Sequence, residues 1–130
     1  MIAVDTNVLV YAVDFYEPVK MQKAIALLAS IPGASLVIPW QVAVEFLGRL
    51  RHWERMGRIT RVETEMYLSR FVLTSPLVYP TVAILADSLA LSIAHSLSHW
   101  DSLLIAACNE AGVDTLYSED LSHNATYGSV

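Results

Sequence analysis

The stretch Met1-Ile2-Ala3-Val4-Asp5-Thr6-Asn7-Val8-Leu9-Val10-Tyr11-Ala12 decides the fold. Its first four residues are apolar, with β-branched Ile2 and Val4, and read as a short buried strand. Asp5-Thr6-Asn7 interrupts the run, and Val8 to Tyr11 resume an apolar pattern that fits the first turns of a helix. A carboxylate therefore stands where a strand gives way to a helix. In an α/β fold that place looks onto the crevice at the carboxyl ends of the strands. The same residues are good helix N-caps, so Asp5 or Thr6 also has a purely local role open to it, accepting from an unpaired helix N–H. The positions of the other acids bear on the choice.

Working outward, Glu17-Pro18 opens a helix over Val19 to Ser30, ended by Ile31-Pro32-Gly33. Ser35 to Ile38 is a second strand, stopped by Pro39. Trp40 to Met56 reads as a long helix with Ala43, Phe46, Leu47, Leu50 and Trp53 along its apolar stripe and Glu45 off it. Gly57 ends that helix. Thr60-x-x-Glu63 has capping-box spacing and starts the next, which runs to about Leu73. Leu77 to Tyr79 is a brief strand, and Thr81 to Leu97 an apolar helix. Ser98-His99-Trp100-Asp101 opens a last helix that Gly112 closes, and Asp114 to Tyr117 is the last strand. Ser118 to Val130 is polar and turn-like, and is expected to be loosely held. Strands separated by helices give a parallel sheet with helices on its faces. No repeat or linker divides residues 1–130, so one domain is expected, and Rossmann and Walker phosphate motifs are absent.

The chain has 130 residues, 55% hydrophobic and 16% charged, more apolar than an average soluble domain. That points to a subunit interface in addition to a core, with a homodimer as the simplest form. A net charge of −5 argues against a wholesale electrostatic nucleic-acid binder. It does not exclude a nuclease, because acids in a metal site count against the total before the metal is added. No basic leader precedes the first strand, and Asp87, His95 and Asp101 interrupt the long apolar stretches, so no bilayer span is expected. The single cysteine, Cys108, sits in an apolar helical pattern and reads as a core residue. Together these features predict a cytoplasmic protein.

Four acids stand out. Asp5 follows the first strand and Asp120 the last, so both fall at the carboxyl edge of a parallel sheet. Asp101 lies in the first turn of a helix whose leading loop reaches the same edge. Glu45 projects from a helix that begins just past the second strand. Each has a local alternative: Ser98-x-x-Asp101 has capping-box spacing, Glu45 has Arg49 one turn on, and Ser118-Glu119-Asp120 also reads as a plain turn. Local roles for all four would leave their shared edge a coincidence. Acids that converge need a counter-charge, and oxygen donors suit Mg²⁺ or Mn²⁺. His52, His95, His99 and His123 show no zinc spacing. Carboxylate sites of this kind hydrolyse phosphodiesters.

The order and spacing of these blocks resemble the PIN-domain nucleases and, among them, the VapC-like toxins of toxin–antitoxin pairs. The resemblance rests on Val4-Asp5-Thr6-Asn7-Val8-Leu9, on Glu45, on His99-Trp100-Asp101-Ser102-Leu103-Leu104-Ile105-Ala106-Ala107, and on Leu116-Tyr117-Ser118-Glu119-Asp120-Leu121. It implies a three-layer α/β/α sandwich with a short, mostly parallel sheet. It also implies a Mg²⁺- or Mn²⁺-dependent, single-strand-specific endoribonuclease that acts on RNA (transfer RNA among the candidates), a homodimer, and a cognate VapB-like antitoxin that inserts a basic side chain among the acids. By the same resemblance Asp5 and Asp101 are the principal metal ligands, and Glu45 and Asp120 complete the catalytic cluster. Thr6, Asn7 and Ser118 support them. Glu119 competes with Asp120 for the fourth position, with Asp120 preferred. Relatives usually continue into a further strand, which is expected to be missing or cut short here.

Six of the eight cations are arginines between positions 49 and 70: Arg49, Arg51, Arg55, Arg58, Arg61 and Arg70. They read equally as a phosphate-steering surface, led by Arg49 and Arg51, or as a solvated face interleaved with Glu54, Glu63 and Glu65. Trp40 and Trp100 are candidates for base stacking, and Trp53 belongs with the core. Other acid-bearing folds fit less well. A receiver domain needs a late lysine, and only Lys20 and Lys23 exist. A haloacid-dehalogenase-like phosphatase needs an acid where Asn7 stands, and no Gly-x-Ser-x-Gly elbow is present. The remaining alternative is a non-catalytic PIN-like module for RNA or protein binding, against which the retention of four acids argues.

Overall fold

A computed structural model describes residues 1–119, 121, 127 and 130. In chain order the elements are β1 (Ile2–Val4), α1 (Thr6–Ala12), α2 (Pro18–Ser30), β2 (Leu36–Pro39), α3 (Trp40–Arg55), α4 (Arg61–Leu68), β3 (Leu77–Val78), α5 (Val82–His95), α6 (His99–Glu110) and β4 (Thr115–Tyr117). The strands form one sheet in the order β3-β2-β1-β4, and every pairing is parallel. Ile2 pairs with Leu36 on one side and Thr115 on the other, and Val4 with Tyr117. Parallel strands need covered faces. Helices α1 to α4 pack among themselves, as do α5 and α6, and the sheet lies between the two layers. This is the α/β/α sandwich expected.

The reasons are visible residue by residue. Ala3 and Val4 on the central strand are inaccessible. On α3, Val42, Ala43, Phe46, Leu50 and Trp53 recur at helical spacing and are buried, while Leu47 at the margin is half-buried. From α6, Leu104, Ile105 and Cys108 complete the same core. Thr60 caps α4, and a full capping box joins its side chain to Glu63.

Two expectations need correction. The helix expected to run to Leu73 is α-helical only to Leu68 and continues as a π-helical turn over Ser69–Leu73. That widened turn buries Val72 and brings Phe71 edge-on to Phe46 at 6.4 Å between centroids. The tail is not wholly loose, since Tyr127 and Val130 are buried in the main core. Asn109 Nδ2 donates to the Tyr127 carbonyl at 3.0 Å, and the His95 ring stands edge-on to Tyr127. Between α5 and α6 the chain turns through 118°, with Ser96 in the left-handed region at φ 54°. Among the described residues no single helix is long and apolar enough to cross a membrane.

Candidate active site

Asp5 is the first residue past β1 and the N-cap of α1, and its Oδ1 accepts from the Thr6 N–H at 2.6 Å. The parallel register of β1 and β4 sets residue 118 beside residue 5. The Asp5 N–H donates to the Tyr117 carbonyl at 2.9 Å, and Ser118 Oγ donates to Asp5 Oδ2 at 2.8 Å. Thr6 Oγ1 donates to Glu45 Oε2 at 2.7 Å. Gln41, one turn before Glu45 on α3, donates from Nε2 to Glu45 Oε1 at 3.2 Å and to the Trp100 carbonyl at 3.1 Å. Hydrogen bonds thus run from β4 through α1 and α3 to α6, ending beside Asp101.

Asp5, Thr6, Asn7, Glu45, Arg49 and Asp101 share the wall of one cavity of about 400 Å³. Three of the four expected acids therefore meet at the carboxyl edge of the sheet. The fourth, Asp120, lies outside the described residues. Both readings of Asp5 hold together, since it caps α1 and also faces the cavity. The same is true at α6, where Ser98 Oγ accepts from the Asp101 N–H while Asp101 lines the cavity. Glu45 binds Thr6 and Gln41 rather than the Arg49 suggested by helical spacing. Glu119 turns away from the cavity, and its carboxylate accepts from Tyr11 Oη at 2.8 Å and lies 3.7 Å from Lys20 Nζ.

The donors lining the cavity are carboxylate, hydroxyl and amide oxygens with no thiolate or imidazole, a chemistry that fits a hard divalent cation. Among the described residues no three acids, histidines or cysteines stand close enough to enclose a bare ion. Cys108, buried beneath this edge, has its thiol pushed up to about 12, first by desolvation and then by the charge of Asp5.

The arginine cluster divides. Arg49 lines the cavity, and Arg51 is exposed on α3 away from it. Arg61 grips Glu54 with two bonds of 2.9 and 3.0 Å. Arg58 is structural: Nη2 donates to Asp14 at 2.9 Å, and the guanidinium lies between the rings of Tyr16 and Trp53 at 4.1 and 4.3 Å. Its charge is already matched and partly buried, so of the two readings of the cluster it fits neither a phosphate contact nor a free solvated face. Gln41 belongs to no motif in the sequence; its place four residues before Glu45 on one helix face is the signal that points to it. Trp53 is core, while Trp100 is 62% exposed beside Asp101.

The PIN domain family model matches residues 2–128, and the chain belongs to that family. Among solved structures, the chain is similar to VapC20 of Mycobacterium tuberculosis, described as a sarcin–ricin loop cleaving toxin. That match has a TM-score of 0.68 and 18% identity over 92% of this chain and 90% of that one. It is also similar to a chain of a toxin–antitoxin complex from Klebsiella pneumoniae, with a TM-score of 0.64 and 18% identity over 88% and 83% of the two chains. No curated protein sequence matches it significantly.

Proposed function

We propose that this PIN domain, a single unit over residues 1–130, is a cytoplasmic, metal-dependent endoribonuclease specific for single strands, and the toxin of a toxin–antitoxin pair. The observation that carries the reading is the meeting of Asp5, Glu45 and Asp101, from three separate elements, on one cavity wall. The toxin names attached to both structural neighbours favour the same direction.

In this reading Asp5 and Asp101 hold Mg²⁺ or Mn²⁺, with Glu45 and Asp120 completing the set. When bound, the ion would make water a better nucleophile and offset charge on the leaving oxygen. The chain's own residues supply orientation. The Thr6 N–H and Ser118 hydroxyl fix the Asp5 carboxylate from two sides. Thr6 Oγ1 and Gln41 fix Glu45. Carboxylates held at both oxygens cannot swing away, and such supporting contacts commonly set activity. Arg49 contacts a phosphate of the RNA from the cavity rim.

The partner surfaces follow from exposed apolar faces. A second copy packs on Val82, Leu85, Leu89 and Ile93, spaced along one side of α5 and all more than half exposed. An antitoxin helix occupies the groove lined by Phe15, Met21, Ile25, Tyr67 and Phe71, and its basic side chain reaches the acids.

The test is cleavage of a total RNA pool by partner-free protein with Mn²⁺, with EDTA, and with Asp5→Asn. Discrete fragments only with metal and the wild-type chain are expected. Absence of both cleavage and Mn²⁺-induced thermal stabilisation would sink the enzyme reading and leave a binding module.

A further inference from the structure

Glu119 was a rival for the fourth acid, and its actual contacts point to another role. Ser118 and Glu119 are consecutive residues that face opposite ways. Ser118 donates to Asp5, while Glu119 accepts from Tyr11 Oη at 2.8 Å. Lys20 joins them from α2, with Nζ 3.2 Å from Tyr11 Oη, 3.7 Å from Glu119 Oε1 and 4.7 Å from the centre of the Tyr11 ring. Tyr11 lies on α1, the helix capped by Asp5. One rigid element therefore carries the carboxylate at one end and the anchor for its supporting loop near the other.

The need for an anchor follows from the topology. Strand β4 has three residues and pairs only with β1 at the sheet edge among the described residues. A short edge strand held on one side opens readily. Each contact of Glu119 is exposed and weak alone. Together they set two charged groups, one from α2 and one from the exit of β4, around the phenol oxygen of α1.

We propose that Tyr11, Lys20 and Glu119 are positioning residues that clamp the exit of β4 onto α1 and so keep the Ser118 hydroxyl on Asp5. The effect on rate rests on the endoribonuclease reading. The clamp itself does not.

The experiment compares the wild-type chain with Tyr11→Phe, Glu119→Gln, their double variant and Lys20→Met, with Lys23→Met as the charge-matched control for Lys20→Met on α2. Hydrogen exchange of the segment 115–119 should quicken by about three- to tenfold in Tyr11→Phe, Glu119→Gln and Lys20→Met, while α3 keeps its protection. The double variant should add little to either single one, because both cut the same link. With RNA and Mn²⁺, kcat should fall by a similar factor, with KM changed by less than about twofold. Lys23→Met should match wild type in both assays. Unchanged exchange in Tyr11→Phe would overturn the clamp, and faster exchange with unchanged kcat would overturn its positioning role. If wild-type protein cleaves no RNA, the nuclease reading fails alone, and exchange still decides the clamp.

Discussion

Helix α1 lies between two buried aspartates. Asp5 caps its start and Asp14 follows its end, and each is 8% exposed. Their surroundings differ. Asp14 faces the Arg58 guanidinium, which is itself held between two aromatic rings, and also accepts from the Tyr16 N–H. Asp5 accepts from an N–H and a hydroxyl and faces a cavity shared with Glu45 and Asp101. Burial alone does not tell a structural acid from a candidate catalytic one. The neighbours do: a fixed protein cation closes the first site, while further carboxylates around open space make the second a place for a mobile cation.

That contrast can be broken from either end. Asp5→Asn keeps the helix cap and the shape, so the fold should survive while RNA cleavage falls by at least about a hundredfold and Mn²⁺ no longer raises the melting temperature. Asp14→Ala should do the reverse. It strands a partly buried guanidinium and should cost about 2 kcal/mol, below the range for fully buried pairs because Arg58 keeps some solvent contact. Urea denaturation would show the loss, and cleavage per folded molecule should hold. A smaller effect is expected from Thr6→Val, which removes the hydroxyl that steadies Glu45. Single-turnover cleavage should slow by about tenfold with little change in stability.

Cys108 offers a pH test of the same edge. Its folded thiol keeps its proton to about 12, whereas an unfolded one loses it near ~8.5. Only the unfolded chain therefore releases this proton as pH rises between those values. The contribution of Cys108 to stability is complete below the lower value and declines above it. A thiol reagent at pH 8 should leave the native protein unlabelled and react at once in urea. The smallest effect belongs to Arg61→Ala, which opens an exposed pair with Glu54 and should leave the midpoint of chemical denaturation nearly unchanged.

How much of this could be read from the sequence follows the range of the forces. Val4-Asp5-Thr6 announces a strand, a cap and a helix within three residues, and the apolar stripe of α3 is written at helical spacing, so both were legible. The meeting of Asp5, Glu45 and Asp101 could be inferred from strand order, because parallel strands send their exits to one edge. The Asp14–Arg58 pair could not, because 44 positions separate partners that no periodicity links. For the same reason the sequence leaves Arg58 open to both readings of its cluster, phosphate steering or a solvated face. Glu119 and Tyr11 are 108 positions apart, and only side-chain direction separates Glu119 from an acid of the cluster. The π turn after Leu68 escaped because it answers to the packing of Phe71 and Val72, not to a local signal.

The bond from Ser118 to Asp5 spans 113 positions, and β4 pairs with the strand that begins the chain. On the ribosome, synthesis at about 5–20 residues per second puts roughly 6–23 s between making the first half of this contact and making the second. For most of that interval the nascent chain carries Asp5 and Glu45 but no Ser118 to hold the Asp5 carboxylate. If the protein cuts RNA, the site in its ordered form exists only once β4 has emerged and paired with β1.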